Sequence, residues 1–183
     1  MTNIRETENK EEICEASLSE AAEEAAGLLM EHGWSIGTAE SCTGGMLASG
    51  LIDVPGISAV FKAGFITYSN EAKQQFLNVP EEILLQHGAV SEEVAGAMAI
   101  GAARAVNADV AVSVTGIAGP GGGSEEKPVG LVYIGCYVRG KVRVIRKLLK
   151  GNRAEIRRAS SVAALHLLRD WIQECIAEAS PSA

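Results

Sequence analysis

The chain has 183 residues, of which 47% are hydrophobic, 21% are charged and only 4% are aromatic, and 20 are glycine. This composition is typical of a soluble globular protein with one domain and a core of small aliphatic side chains. The net charge of −7 argues against a dedicated nucleic-acid binder.

The first 16 residues are acidic and polar, and they predict a flexible N-terminal leader before a domain at residues 17–179. The domain opens with a helix at residues 17–33, because Ser17 and Glu20 have the spacing of a capping box and Gly33 is a suitable stop. Further helices are predicted at about 43–53, 70–78, 80–88, 91–107 and 152–179. Strands are predicted at 34–39, 59–69, 108–116, 131–138 and 141–149.

Helices alternate with strands in the first two thirds of this pattern, and a hairpin around Arg139 and Gly140 closes it. The pattern predicts an α/β fold, a three-layer α/β/α sandwich with a mixed β-sheet.

The cysteines are scattered along the chain, without a C-x-x-C pair or a histidine at metal-ligand spacing. They are Cys14, Cys42, Cys136 and Cys175. This distribution predicts free thiols and no metal site. The N-terminus lacks an apolar signal segment, and no apolar run approaches the ~18 residues of a membrane span. We therefore expect a cytoplasmic protein without a membrane partner.

The stretch TAESCTGG, residues 38–45, lies where a predicted strand passes into a predicted helix. Serine and threonine cap helices and glycine makes turns, so an ordinary junction explains part of it. The alternative is chemical, because the first N–H groups of a helix have no internal partner and can bind an oxyanion or a phosphate. We expect the amides of Cys42, Thr43, Gly44 and Gly45 to do so, with Ser41 beside them.

A Ser-His-Asp triad is not expected, because His32 and His87 lie at helix ends and His166 lies in mid-helix. Ser41 can instead be activated by a neutral lysine, a variant found on unrelated folds. The candidate is Lys73, which lies where a predicted strand gives way to a helix; the alternative is a solvated helix residue.

Two more side chains belong to this hypothesis. Tyr68, at the end of the same strand, can relay or stabilise a proton, or it can simply pack at the edge of the core. Cys42 is either a rival nucleophile with a lowered thiol pKa or a core residue.

The glycine-rich loop TGIAGPGGG follows a predicted buried strand and matches neither the Walker nor the Rossmann fingerprint. It is either a bare flexible loop or a ligand loop, since Thr115 and Gly116 stand at the strand's end, where α/β sheets bind ligands. Residues 139–158 are strongly basic, and most of this stretch is expected to coat an exposed strand. Arg153 and Arg157, four residues apart on the last helix, can clamp a phosphate.

Together TAESCTGG, AGFITYSNEAK, GAVSEEVAGAMA, SVTGIAGPGGGSEEKPVGLVYIG and GNRAEIRR resemble the CinA C-terminal-domain family over residues 17–178. The enzymatic members of that family are nicotinamide-nucleotide amidohydrolases, the PncC-type nicotinamide mononucleotide deamidases. The resemblance implies a three-layer α/β fold with Ser41 as nucleophile, Lys73 as base and Tyr68 as assisting hydroxyl. It also places Thr115, Gly116 and the glycine loop with Gly119 at the nucleotide, and Arg153 or Arg157 at its phosphate.

Two departures from the family accompany the resemblance. Asn152 stands where the family often has aspartate, which keeps a helix cap but loses a charge. The acidic leader cannot be the molybdopterin-binding-like domain of the larger fused members, so a stand-alone amidase domain is expected.

The expected reaction is hydrolysis of the carboxamide of nicotinamide mononucleotide to nicotinate mononucleotide and ammonia, without a metal or redox cofactor. The expected assembly is a homo-oligomer, a dimer. Three alternatives remain: a non-catalytic nucleotide- or partner-binding module, an amidase for another carboxamide, and, ranked last, a nucleic-acid-associated competence factor.

Overall fold

The computed structural model describes residues 17–179, so the predicted leader at 1–16 lies outside the described residues. Its helices are α1 (Leu18–His32), α2 (Met46–Ile52), α3 (Asn70–Leu77), α4 (Glu81–His87), α5 (Glu92–Val106) and α6 (Arg153–Ala179). Its strands are β1 (Ile36–Glu40), β2 (Phe61–Ile66), β3 (Val110–Gly116), β4 (Leu131–Val138) and β5 (Lys141–Leu148), and a short 3₁₀ turn covers Ile57–Ala59. None of these helices is long and apolar enough to cross a membrane.

The five strands form one mixed sheet in the order β2-β1-β3-β4-β5. β1 is parallel to both β2 and β3, whereas β4 is antiparallel to β3 and to β5. One hydrophobic core lies between the sheet and α1, α2 and α6, and a second lies between the sheet and α3, α4 and α5. The predicted three-layer α/β/α sandwich with a mixed sheet is confirmed.

Small residues bring the layers close together, as the low aromatic content requires. Ala22, Ala25 and Ala26 of α1 are fully buried against the first core. In α5, a Cβ added at Gly101 would overlap the backbone carbonyl of Leu77 at the end of α3. Close packing of this kind lets backbones touch where larger side chains would separate them.

Most helix starts follow from local capping. The predicted capping box of Ser17 and Glu20 is formed in full at the start of α1. Ser69 and Ser91 cap α3 and α5 through their hydroxyls, and the Asn152 side chain accepts from the first amides of α6. These side chains satisfy backbone donors that the helix itself leaves unpaired.

The helix predicted from about residue 43 begins later, at Met46. Gly44 and Gly45 have φ angles of 60° and 94°, which lie in the left-handed region. Residues with these angles cannot belong to a right-handed helix. Residues 41–45 therefore form a turn between β1 and α2. This turn, the loop after β2 and the glycine-rich loop after β3 all lie at the carboxyl ends of the three parallel strands. Ligand sites of open α/β sheets lie at that edge.

Candidate active site

Ser41 and Lys73 meet at this edge of the sheet. Ser41 follows the last residue of β1, and its N–H donates to the carbonyl of Val114 at 2.9 Å. Lys73 reaches it from the first turns of α3, where Ser69 caps the helix. Lys73 Nζ lies 3.3 Å from Ser41 Oγ, across 32 residues of sequence. The structure thus brings the predicted nucleophile and base within reach of a hydrogen bond.

Lys73 is buried to an unusual degree for a lysine, with 1% of its surface exposed. Its Nζ donates to the carbonyl of Thr67 at 2.7 Å and approaches that of Ser69 at 3.5 Å, and within residues 17–179 no salt bridge pairs it with a carboxylate. Burial lowers the pKa of Lys73, and the weaker effects of Cys42 and Glu71 oppose the shift. A neutral amine can donate two hydrogens to the carbonyls and offer its lone pair to Ser41, as a general base requires.

The predicted anion site at the start of α2 differs from what the structure shows. The Gly44 N–H donates to the Ser41 carbonyl at 3.1 Å, and the Gly45 N–H donates to Glu40 Oε2 at 3.0 Å. These two amides are therefore already paired and cannot receive a substrate anion. In the described part of the chain no other residue accepts from the amides of Cys42 and Thr43, so these two remain as donors for an oxyanion.

Tyr68 is not brought to the Ser41–Lys73 pair by a hydrogen bond. Its side chain is 62% exposed, and its hydroxyl accepts from Arg153 Nη2 at 3.1 Å. Arg153 also donates through Nη1 to the Gly119 carbonyl at 2.7 Å. The arginine thus joins the start of α6 to the loop after β2 and to the glycine-rich loop.

Arg157, one helical turn further along α6, has a structural role in this arrangement. Its Nε donates to the Cys42 carbonyl at 3.2 Å, and its Nη2 donates to the Thr43 carbonyl at 2.7 Å. The guanidinium therefore holds the 41–45 turn through Nε and Nη2, and these two groups are not available to a phosphate. Of the two arginines predicted at a phosphate, the exposed Arg153 is the better placed.

Thr115 and Gly116 shape the glycine-rich loop rather than presenting free donors. The Thr115 hydroxyl donates to the Ala89 carbonyl at 2.7 Å. A Cβ at Gly116 would stand 2.8 Å from the carbonyl oxygen of Leu131, so only glycine fits there without a shift. The loop is also tied by Lys127, which donates to the carbonyls of His87 at 2.6 Å and Val90 at 2.8 Å. The interpretation as a bare flexible loop is thereby weakened.

Cys42 is a poor nucleophile in this environment. Only 6% of its surface is exposed, and burial raises the pKa of its thiol to about 11. At neutral pH the group is a protonated thiol, whereas the reactive form is the thiolate. Cys42 therefore packs in the core, and the rival nucleophile is disfavoured.

No group of three or more His, Cys, Asp or Glu side chains in the described residues is placed to hold a metal ion.

Two residues of this region were not predicted from the sequence, Glu40 and Lys127. Glu40 is 1% exposed and ends β1. A signal for it existed, because an acidic residue directly before a predicted helix start can accept from the helix amides. Lys127 had no comparable signal, since its partners are backbone carbonyls some 40 residues away in the chain.

The model of the CinA C-terminal domain matches residues 18–172, most of the chain. The chain belongs to the CinA C-terminal-domain family. A CinA-like protein of Dictyoglomus turgidum is 50% identical over 155 residues, which cover 85% of this CinA domain and 37% of that relative. A relative from Clostridium beijerinckii with a competence-damage inducible protein name is 56% identical over 147 residues, 80% of this chain and 36% of its own. The chain thus spans little more than a third of the length of these curated relatives.

Solved structures agree with the fold of this CinA domain. A CinA superfamily protein from Klebsiella pneumoniae is 33% identical with a TM-score of 0.84, and the match covers 87% of this chain and 99% of that one. The competence/damage inducible protein CihA from Agrobacterium tumefaciens is 43% identical with a TM-score of 0.83, over 86% and 96% of the two chains.

Proposed function

We propose that the chain is a nicotinamide-nucleotide amidohydrolase, which converts nicotinamide mononucleotide and water to nicotinate mononucleotide and ammonia. The observation that carries the proposal is the 3.3 Å distance between Ser41 Oγ and the Nζ of a lysine with 1% exposure. A serine beside a buried amine whose pKa is lowered is the arrangement that amide hydrolysis without histidine requires. The resemblance to the deamidases of the CinA family supplies the substrate.

The reaction proceeds in two halves. Ser41 Oγ attacks the carboxamide carbon while Lys73 Nζ takes the hydroxyl proton. The amides of Cys42 and Thr43 stabilise the oxyanion, and Lys73 gives the proton to the departing ammonia, which leaves an ester on Ser41. A water molecule, deprotonated by Lys73, then attacks the ester carbonyl. Lys73 returns this proton to Ser41 Oγ as the ester bond breaks, which releases the carboxylic acid and restores both groups.

Arg153 supplies the contact with the nucleotide phosphate. It is exposed and stands in the first turn of α6, where the helix dipole also favours an anion. Among residues 17–179 its Nη2 is paired only with the Tyr68 hydroxyl. A phosphate dianion binds a guanidinium more strongly than a neutral phenol does, so it displaces Tyr68 from that position.

Incubation of the purified protein with nicotinamide mononucleotide, with ammonia and nicotinate mononucleotide measured, tests the proposal. We expect Ser41→Ala and Lys73→Met to lower kcat about a thousandfold or more, because each removes a group that acts in the bond-breaking step. Cys42→Ala, which removes the thiol and keeps the backbone amide, is measured in parallel and is expected to retain most of the activity, because the thiol takes no part in the reaction. Full activity of Ser41→Ala would contradict the mechanism, and release of ammonia from other carboxamides but not from the nucleotide would contradict the substrate.

A further inference from the structure

Glu40 is a buried carboxylate that no step of the proposed reaction uses. It precedes Ser41 directly, and its side chain points into the start of α2. Oε2 accepts from the N–H groups of Gly45 at 3.0 Å and Leu47 at 3.1 Å, and Oε1 accepts from that of Ala48 at 2.8 Å. No salt bridge involves Glu40 among residues 17–179, so its partners are backbone amides.

The main chain of the same residue reaches the other half of the candidate site. The Glu40 carbonyl accepts from the N–H of Thr67 at 2.8 Å. The Thr67 carbonyl in turn accepts from Lys73 Nζ at 2.7 Å, and Nζ lies 3.3 Å from Ser41 Oγ. Since Ser41 is bonded to Glu40, these contacts form a closed ring through both proposed catalytic groups.

The turn that carries Ser41 depends on this carboxylate for its shape. Gly44 and Gly45 both have positive φ, a conformation that glycine does not enforce by itself. The bond from Gly45 to Glu40 fixes the end of the turn, and Arg157 fixes the carbonyls of Cys42 and Thr43 from the opposite side. The amides proposed as oxyanion donors are therefore oriented between these two attachments.

We propose that Glu40 is a positioning residue of the amidase site, whose carboxylate holds the 41–45 turn so that Ser41 Oγ faces Lys73 Nζ. This inference rests on the proposed function. Both carboxylate oxygens are needed, because three donors converge on them. Glutamine replaces one acceptor with a donor that faces backbone N–H groups, and aspartate is one methylene too short to reach all three.

A role in positioning differs measurably from a role as a helix cap alone. Loss of a cap lowers stability and leaves the folded enzyme unchanged. Loss of position lowers kcat while substrate binding is retained, because a displacement of about 1 Å at the reacting atoms can cost on the order of a hundredfold in rate. The pH at half-maximal kcat should not change in a Glu40 variant. The pKa of Lys73 is set by its burial and by Cys42 and Glu71, and Glu40 does not contribute to it.

The test compares Glu40→Gln with wild type and with Ser17→Ala, which removes the cap of α1 away from the site. The readouts are the melting temperature, kcat, KM, the pH profile of kcat, and the rate at which a fluorophosphonate labels Ser41. We expect folded Glu40→Gln to show kcat and labelling lowered about 10- to 100-fold, with KM within threefold and the pH midpoint unmoved. Ser17→Ala should have a lower melting temperature than wild type, and the fluorophosphonate should label its Ser41 at the wild-type rate.

If the fluorophosphonate labels folded Glu40→Gln at a rate within twofold of wild type, the proposal is overturned, whether or not the pH midpoint of kcat has shifted. If Glu40→Gln does not fold, Glu40→Asp takes its place with the same expected losses; two unfolded variants would make Glu40 a folding residue and also overturn the proposal. Because labelling needs no nucleotide, a wild-type protein that labels at Ser41 but releases no ammonia refutes the substrate and leaves the role of Glu40 testable.

Discussion

Lys73 is the residue on which the proposed chemistry depends. A lysine buried without a carboxylate partner destabilises its own charged form, and protein interiors rarely accept one unless a function requires it. Here the amine is held by the Thr67 carbonyl and faces a serine hydroxyl. Perturbed groups of this kind cluster at functional sites.

The lowered pKa of Lys73 predicts the pH dependence of activity. The base must be neutral, so kcat should rise with pH as Lys73 loses its proton and level off, with a midpoint below the ordinary lysine value of 10.5. The unfolded chain keeps this proton up to 10.5, so the contribution of Lys73 to the free energy of unfolding also rises with pH between the two pKa values.

A pH–rate profile measures the first effect, and melting curves of wild type and Lys73→Met at several pH values measure the second. Wild type should gain stability relative to Lys73→Met as the pH approaches 10.5. A midpoint of kcat at or above 10.5 would show that the base is not a lysine with a lowered pKa.

The sequence predicted the meeting of Ser41 and Lys73 but not the burial of Glu40. Ser41 and the loop before Lys73 each follow a predicted strand, and the carboxyl ends of parallel strands share one edge of a sheet. The predicted strand ended at residue 39, and no role was predicted for Glu40, since a carboxylate is ordinarily exposed. Its burial depends on three amides that converge only in the folded turn.

At the scale of elements, most helix and strand positions followed from local signals. Serine caps, hydrophobic periodicity and the hairpin residues are all local, and the predictions that used them agree with the structure to within a few residues. The start of α2 was wrong by about three residues. A pair of glycines is compatible with both a helix start and a left-handed turn. Here the hydrogen bonds of Glu40 to the Gly45 amide and of Arg157 to the Cys42 carbonyl stabilise the turn.

Two glycines of α5 predict opposite effects of the same substitution. Gly101→Ala should lower the free energy of unfolding by about 1–3 kcal/mol, because the new Cβ would overlap the Leu77 carbonyl. That carbonyl belongs to the backbone, so it cannot relieve the overlap by a side-chain rotation. Gly96→Ala is the matched control, since its Cβ would lie 3.5 Å from Val144, an ordinary contact. There alanine should raise stability by up to about 1 kcal/mol through its helix propensity.

Urea unfolding of the two variants and wild type gives these differences directly. Equal stabilities of Gly101→Ala and Gly96→Ala would mean that α3 and α5 do not pack as closely as described.

At the scale of the molecule, the two helical layers meet at the site through the sheet edge. Lys73 comes from the layer of α3, α4 and α5, whereas Arg153 and Arg157 come from α6 in the opposite layer. The strongly basic stretch at 139–158 is divided accordingly. Lys141 and Arg143 on β5 pair with Glu178 and Glu174 of α6, away from the site.

A ligand that contacts both layers should stabilise the whole fold. We expect nicotinamide mononucleotide to raise the melting temperature of Ser41→Ala, which binds without turnover, by the equivalent of about 2.7 kcal/mol at a concentration of 100 Kd. Arg153→Ala in the same background should lose most of this shift, because the phosphate contact is gone. Thermal melts with and without the nucleotide measure this shift in melting temperature. An equal shift in both proteins would show that Arg153 does not contact the nucleotide.

The attachment of Arg157 to Cys42 spans 115 residues, which matters when the protein is made. A ribosome releases Ser41, Lys73 and all five strands before Arg157 appears. Until that arginine emerges, the serine turn lacks one of its two supports. A growing chain therefore completes the candidate site only after the start of α6 has emerged from the ribosome.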